Sequence, residues 1–441
     1  MKKCIPIIIL TLLMCNIIHA EIVRLIGPPN ARSYACMIAD TAHARAILFG
    51  GWGVGQYLND VWSFDFSSEV WSLINPSGQA PPVRREATAL YHGAQNAMIV
   101  FGGTDGNTYY NDVWALTLTP GSEAWAQVQT VGTPPSPRTS SKSVYDPINN
   151  RMIIFGGTSP SVGFNETWSL DFETLQWELL APSGTLPHTR FAHCAEYDPN
   201  GHRMIVFAGV AWGYPMMDDV WALDLTSGAE SWQRLYPSGP QPSARCQHTS
   251  VYDHTNHEML LGFGYAYPPF VFFNDIWALD FGSLVWRQLN LVGPTISPRR
   301  AVSMACDPVD YEVVIFGGNL GNDNPYNDTY ILELEETGTA VEEHNRIDIA
   351  GHEYIEIQSN PSRLPCRMDL NITYPSMVRL DVFDVSGRVI HTLLNRRCNS
   401  GNIPVQWDGK DNKGKKVAAG TYFINLEIDG ISEVEKVVLI E

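Results

Sequence analysis

The candidate functional residues divide into two groups. The first recurs at a fixed interval along the chain, and the second stands at repeat positions where the other copies carry a different residue type. An arginine and a carboxylate each recur six times along the chain. A catalytic acid is needed once rather than six times, so the repetition indicates structural roles, and we expect the carboxylates to cap turn amides. The arginines are Arg32, Arg84, Arg138, Arg190, Arg245 and Arg299, and the carboxylates are Asp60, Asp112, Glu166, Asp219, Asp275 and Asp328.

Glu86 is the clearest break from the recurrence, because it places a carboxylate where the other copies have none. A carboxylate in a pocket can act as a general acid or base, so Glu86 is the one candidate catalytic residue. The equivalent residues in the other copies are Tyr34, Ser140, Ala192, Gln247 and Ala301.

Aromatic residues are concentrated in the irregular segments of the repeat. Aromatic faces beside carboxylates and arginines suit the C–H faces and hydroxyl groups of sugars. The alternative is that these rings only pack the loops against one another. The predicted ligand-binding face comprises Trp52, Tyr109, Trp212, Tyr214, Tyr265, Tyr267, Arg84 and Glu86.

His193 and His248 occupy the same position in adjacent copies and are the candidates for a metal site. A metal needs at least a third ligand, which the sequence does not supply, so we interpret both histidines as structural and predict no cofactor. The chain also contains no Gly-x-Ser-x-Gly elbow, phosphate loop, dinucleotide fingerprint or His-Glu-x-x-His motif.

The elements that position these residues are short strands. Each copy contains an apolar run ending in Phe-Gly-Gly or a variant of it, as at Phe101-Gly102-Gly103, seventeen residues after the repeated arginine. An Asn-Asp-x-Trp motif such as that around Trp114 follows, and a second tryptophan such as Trp125 comes later. The pattern predicts four strands per copy, and six copies at a period of roughly fifty residues predict propeller blades.

This pattern resembles kelch repeats, whose marks are the double glycine after the second strand and the tryptophan that begins the fourth. The resemblance covers about three quarters of the chain and implies an all-β, six-bladed kelch-type propeller over residues 21–340. The sixth copy has no fourth-strand tryptophan, whereas residues 23–28 match the fourth strand and exit loop of the fifth copy. We therefore predict that residues 22–26 complete the sixth blade and close the ring.

Residues 1–20 have the composition of a signal peptide, with Lys2-Lys3, an apolar run and Ala20 at the expected cleavage point. No other segment is long and apolar enough to span a bilayer, so we predict an exported mature chain without a transmembrane segment.

The C-terminal part has a different pattern, which predicts a linker at 341–352 and a small β-sandwich at 353–441. Trp407-Asp408-Gly409 and the run 419–423 resemble the Ig-like domain of flagellar hook-capping proteins and the sorting domains of type IX secretion substrates. The second resemblance implies contact with secretion machinery and a secreted or surface-exposed protein of a Gram-negative bacterium. Cys366 and Cys398 are candidates for a disulfide after export.

Charge narrows the range of partners. The net charge is −18, and residues 21–345 contain 15 basic against 34 acidic residues. Such a propeller would be repelled by nucleic acid. We therefore expect a binding protein for an extracellular glycan or protein, and we consider an enzyme less favoured. The competing hypothesis is a sugar-modifying enzyme resembling kelch-type sialic-acid mutarotases, with Glu86 as its acid/base group.

Overall fold

The computed structural model consists almost entirely of β-strands in two compact units, Met1–Thr337 and Gly338–Glu441. Among the described residues, no helix is long and apolar enough to cross a bilayer; Gly93–Gln95 forms one 3-10 turn. The structure describes residues 19–26, 29–213, 215–307, 312–321, 324–334, 346–349, 353–357, 364–372, 376–384, 388–398, 401–428 and 431–439.

The first unit contains six antiparallel blades, which we number I to VI, each built outward from an inner strand. Blade I contains Cys36–Asp40, Arg45–Trp52, Tyr57–Asp65 and Val70–Ile74. Blade II contains Thr88–His92, Ala97–Phe101, Val113–Thr117 and Ala124–Val128. Blade III contains Lys142–Asp146, Arg151–Phe155, Thr167–Asp171 and Trp177–Leu180. Blade IV contains Cys194–Asp198, Arg203–Gly209, Met217–Asp224 and Ser231–Leu235. Blade V contains Thr249–Asp253, Glu258–Gly262, Ile276–Asp280 and Val285–Gln288, with a hairpin of Tyr265–Ala266 and Val271–Phe272.

Blade VI combines strands from both ends of the unit. Its first three strands are Ser303–Cys306, Glu312–Phe316 and Asp328–Glu333, and the fourth is His19–Ile26. The fourth strand pairs antiparallel with the third from Glu21↔Glu333 to Ile26↔Asp328, which is the position of the missing strand in the sequence. It begins two residues before the predicted mature start, because His19 to Glu21 also pair with Asn290–Val292. The predicted signal peptide otherwise lies outside the described residues.

Short segments that leave one blade add to the outer edge of the next. Ser77–Gly78 pairs with the outer strand of blade II, and Ser183–Gly184 pairs with that of blade IV. Single parallel bridges at Val131 and Ser238 do the same for blades III and V. Outer edges that would otherwise offer unpaired backbone groups are therefore partly covered.

Aromatic pairs hold five of the six interfaces between blades. The fourth-strand tryptophan packs on the phenylalanine before the double glycine of the preceding blade, with ring centroids 4.6 to 5.5 Å apart. At the V–VI interface both partners are missing, since Gly262 replaces the phenylalanine and blade VI has no such tryptophan. Aliphatic side chains, including Leu289 and Ile296, fill that interface.

The double glycine also joins the blades. Gly103, at φ 93°, donates its N–H to the Arg138 carbonyl of blade III at 2.9 Å. A Cβ on Gly103 would lie 2.8 Å from the Arg85 carbonyl, so no other residue fits without displacing backbone. The same inter-blade bond recurs from Gly51, Gly157, Gly209, Gly264 and Gly318, the last of which reaches Arg32 and closes the ring.

The second unit is a sandwich of two four-stranded sheets around one core, as the Ig-like pattern predicts. One sheet contains Arg346–Ile349, Glu353–Ile357, Cys366–Ile372 and Gly401–Trp407, and the other contains Ser376–Asp384, Val389–Cys398, Gly420–Ile428 and Ile431–Leu439. The strand Arg346–Ile349 lies inside the segment predicted as a linker, because it pairs with Glu353–Ile357.

Cys366 and Cys398, the candidates for a disulfide after export, are not joined by a disulfide in the structure. The two residues come from opposite sheets and are both buried in the shared core. Cys398 is a thiol that donates to the carbonyl of Arg396 at 3.9 Å.

Candidate functional site

The inner strands enclose an axial channel of about 530 Å³. At one end, six residues with φ between 51° and 59° form a closed ring of backbone hydrogen bonds, each N–H donating to the carbonyl of the equivalent residue in the preceding blade. We call this end the mouth. The ring comprises Tyr34, Glu86, Ser140, Ala192, Gln247 and Ala301. Because the ring constrains these backbones, their side chains are presented at fixed positions.

Arg84 does not contribute to the mouth, although the sequence suggested a place on the binding face. Its guanidinium is buried, binds both carboxylate oxygens of Asp112 at 2.7 and 2.9 Å, and also donates to the Gly102 carbonyl. The Tyr110 ring covers it at 4.4 Å. The group is fully used inside the fold, because a planar guanidinium matches a carboxylate in two parallel hydrogen bonds.

The ion pair and the bond to the glycine-motif carbonyl recur at all six arginines, with arginine–carboxylate distances of 2.6 to 2.8 Å. Arg138 differs in binding only one oxygen of Glu166. The carboxylates therefore bind arginines rather than the turn amides expected from the repetition. Five also accept a hydrogen bond from a tryptophan N–H two residues later, as Asp219 does from Trp221 at 2.6 Å. Burial opposes ionisation of Asp219, but Arg190 outweighs it and lowers the pKa of that carboxyl.

Arg85 differs completely from its neighbour Arg84. Its guanidinium lies over the rings of Tyr34, Trp52 and Tyr57 at 5.3 to 5.7 Å, and its side chain is 31% exposed. Nε is 3.6 Å from the Glu86 carboxylate and makes no hydrogen bond with another described protein group. A partly exposed guanidinium held by aromatic faces is preorganised to bind an anionic or polar ligand.

Glu86 lies at the mouth, as its position in the repeat suggested. One carboxylate oxygen accepts hydrogen bonds from the hydroxyl groups of Thr139 at 2.9 Å and Ser140 at 2.7 Å. The other oxygen lies towards Arg85.

Arg300 provides a second guanidinium from blade VI. It lies 4.9 Å from the ring centroid of Tyr265, and its Nε donates to the side-chain oxygen of Asn319 at 3.2 Å. Burial, followed by Glu86, raises the pKa of Tyr34, while Arg300 and Arg85 oppose the shift. All three charged groups therefore act on the Tyr34 phenol, which itself donates to Gln247 across the mouth at 3.0 Å.

The other described aromatic residues of the predicted face lie in blades II, IV and V. Trp212 is 58% exposed, packs on Phe191 at 5.3 Å and donates its indole N–H to Thr158 at 3.0 Å. Tyr265 stacks on two rings of the blade V hairpin, and Tyr267 is 54% exposed at its tip. Tyr109 is half-buried in blade II, whereas Tyr214 lies outside the described residues.

His193 and His248 both line the channel and pack edge-on against Phe155 and Phe207 of the preceding blades. Burial lowers the pKa of each ring well below its usual range. Among the described residues, no three histidine, cysteine, aspartate or glutamate side chains come together as a metal site.

The sequence pattern did not predict Arg85, Arg300 and Tyr34 as site residues. Their signal was present: Arg85 and Arg300 occupy a position where the other blades carry Ser33, Thr139, Phe191 and Cys246. The rule that singled out Glu86 applies equally to them, but their convergence depends on closing the ring between blades VI, I and II.

Comparison with known proteins agrees with this architecture. Host cell factor 1 from Rattus norvegicus is 32% identical over 212 residues, covering 44% of this chain and 10% of that protein. Human Kelch domain-containing protein 10 is 26% identical over 290 residues, covering 60% of this chain and 62% of that protein. The chain thus spans less than two thirds of either relative, and the likeness is one of propeller domains.

The solved structure of YjhT superposes with a TM-score of 0.55 at 15% identity, covering 71% of this chain and 98% of YjhT, which shows the fold alone. Residues 365–430 match the FlgD Ig-like domain. Residues 18–145 and 117–318, together more than half of the chain, match the KLHDC2/KLHL20/DRC7 Kelch-repeats domain. The chain is therefore a member of the Kelch-repeat family, with an Ig-like domain of the FlgD type at its C-terminal end.

Proposed function

We propose that the chain is an exported binding protein whose propeller recognises an extracellular glycan or protein at the channel mouth. The observation that carries the proposal is Arg85, whose side chain is 31% exposed and whose guanidinium lies over three aromatic rings. Its Nε is buried and has no protein hydrogen-bond partner among the described residues. Kelch propellers are a protein-interaction fold, and a rigid ring holds its loops as a fixed surface.

The two sides of the mouth favour a ligand with both polar and ring-like surfaces. Arg85, Glu86 and Arg300 supply charge on the side of blades VI, I and II, whereas Trp212 and the blade V hairpin supply exposed aromatic faces. Aromatic faces with a few placed polar groups are typical of sugar sites and of peptide anchors. The acidic propeller disfavours nucleic acid as the ligand.

The second part of the proposal concerns location. The signal-like residues 1–20 and the Ig-like C-terminal unit support a protein secreted from, or displayed on, a Gram-negative bacterium, with the C-terminal unit engaging secretion machinery. Cell fractionation with and without residues 341–441 tests this part; retention of the full chain in the cytoplasm would contradict it.

A glycan array probed with the purified protein tests the ligand. We expect Arg85→Met to abolish binding of the hits, and Trp212→Ala to weaken it wherever an aromatic face is used. Arg234→Met is the matched control, because Arg234 is exposed on the outer strand of blade IV and its guanidinium lies over the Tyr236 ring. An equal loss of glycan binding in Arg234→Met would refute a specific site at the mouth. An array without hits would direct the search to protein partners.

A sugar-modifying enzyme is the second candidate, favoured by the single carboxylate of Glu86 in the ring at the mouth. Anomer exchange of each array hit, followed by NMR, tests it. Exchange that is present in the parent protein and lost in Glu86→Gln would establish the enzyme, whereas binding without exchange would leave the binding function.

A further inference from the structure

The channel interior contains two charged residues that the proposed function does not use. Lys142 is the only lysine between residues 21 and 345, and it begins the inner strand of blade III. Glu196 lies on the neighbouring inner strand of blade IV. The residues equivalent to Lys142 are Cys36, Thr88, Cys194, Thr249 and Ser303, and those equivalent to Glu196 are Ile38, Leu90, Val144, Val251 and Ala305.

The ammonium group of Lys142 lies in the lumen without a counterion from the protein. Within the described part of the chain, no carboxylate lies within 4.0 Å of it. Burial raises the pKa of Cys36 in blade I to about 11 and that of Glu196 to about 7, and Lys142 opposes both shifts. The charge of Lys142 thus acts on groups from opposite walls of the channel.

Glu196 compensates this charge only in part. Its carboxylate accepts a hydrogen bond from Ser250 at 2.6 Å, and with a pKa of about 7 it is partly protonated at neutral pH. Glu86 also lines the channel, but its carboxylate lies towards Arg85 at the mouth, so among the described residues no lining carboxylate forms an ion pair with Lys142. An ammonium group confined without a counterion is unfavourable, and a mobile anion relieves the cost.

The channel wall also offers neutral hydrogen-bond donors. The hydroxyl groups of Thr88 and Ser143 hydrogen-bond to each other at 2.8 Å, which uses one of their two hydroxyl hydrogens. His193 lines the channel and is fully buried, with neither ring nitrogen bonded to another described group. A channel of about 530 Å³ is large enough for a small organic acid.

We propose that the channel interior binds a small oxyanion, a carboxylate or a phosphate, on the ammonium group of Lys142. The site lies two residues along the inner strand from the ring at the mouth, roughly 7 Å below it. It is independent of the ligand at the mouth, which uses Arg85 and Arg300.

Thermal unfolding of the full protein with sodium phosphate, and separately with sodium acetate, at constant ionic strength tests the site. We expect a saturable rise in melting temperature with at least one of the two anions, and comparing them shows whether phosphate or carboxylate is preferred. Lys142→Met should bind at least tenfold more weakly. Without added anion it should be at least as stable as the parent protein, because the uncompensated charge is gone. That second measurement distinguishes lost binding from lost folding.

Two further variants locate the site. Glu196→Gln removes the competing carboxylate, so at pH 8 it should bind the anion more tightly than the parent protein. Arg85→Met leaves the interior unchanged and should retain the effect. The proposal is overturned if neither anion gives a saturable shift, if Lys142→Met binds as tightly as the parent, or if Arg85→Met alone abolishes the effect.

Discussion

Arg84 and Arg85 are adjacent in the chain and have opposite environments. Arg84 is 1% exposed and bound to Asp112, whereas Arg85 is partly exposed over three aromatic rings. The first belongs to a set repeated in all six blades, and the second belongs to a position that varies from blade to blade. In this propeller, repeated residues stabilise the ring and residues that break the repeat line the mouth and the channel.

Closing the ring should have the largest effect among the repeated features. A chain starting at residue 28 lacks the strand that pairs with Asp328–Glu333, so its free energy of unfolding should fall by about 5 kcal/mol. Melting temperature measures the loss. The matched control starts at residue 21 and keeps all six pairs with the third strand, so equal melting of the two chains would contradict closure.

Replacing one repeated arginine should have the next largest effect. Arg190→Met leaves the carboxylate of Asp219, which is 13% exposed, without its bound arginine, which should cost about 3 to 5 kcal/mol in urea unfolding. Arg85→Met, which removes the same charge from the mouth, should cost less than about 1 kcal/mol. Similar losses in the two variants would remove the distinction between repeated and non-repeated arginines.

A carboxylate inside the channel should give a smaller, pH-dependent effect. Burial raises the pKa of Glu196 to about 7, so the folded protein holds a proton that the unfolded chain releases near pH 4.5. Stability from this group is present below pH 4.5 and is lost as pH rises to about 7, by roughly 3 kcal/mol. Glu196→Gln should remove that decline. Burial also raises the pKa of Glu258 to about 7, but this residue contributes the same pH dependence of stability to the parent protein and to Glu196→Gln. The prediction would be contradicted if the free energies of unfolding of the parent protein and of Glu196→Gln changed by the same amount between pH 4 and 8.

The smallest effect concerns the C-terminal sandwich. Since no disulfide joins Cys398 to Cys366 in the structure, thiol labelling of the unfolded, unreduced protein should modify all six cysteines beyond residue 20. Labelling of only four cysteines would instead indicate that Cys366 and Cys398 form the disulfide for which the sequence makes them candidates.

Local patterns were sufficient for most of the fold. The interval from arginine to Phe-Gly-Gly, and the match between residues 23–28 and the exit of the fifth copy, predict six blades and the place of the closing strand. These features are periodic, and periodicity survives in a linear sequence. Strand bounds in the second unit were less accurate, since Arg346–Ile349 is a strand only because Glu353–Ile357 pairs with it.

The sequence by itself determined the blade count, the acidic surface, and the structural character of residues repeated six times. Only the tertiary structure decided which groups each residue contacts. It paired the repeated carboxylates with arginines instead of turn amides, buried Arg84, and brought Arg85, Glu86 and Arg300 around Tyr34. The physical reason is ring closure, which places blades VI, I and II side by side although Tyr34 and Arg300 are 266 residues apart in the chain.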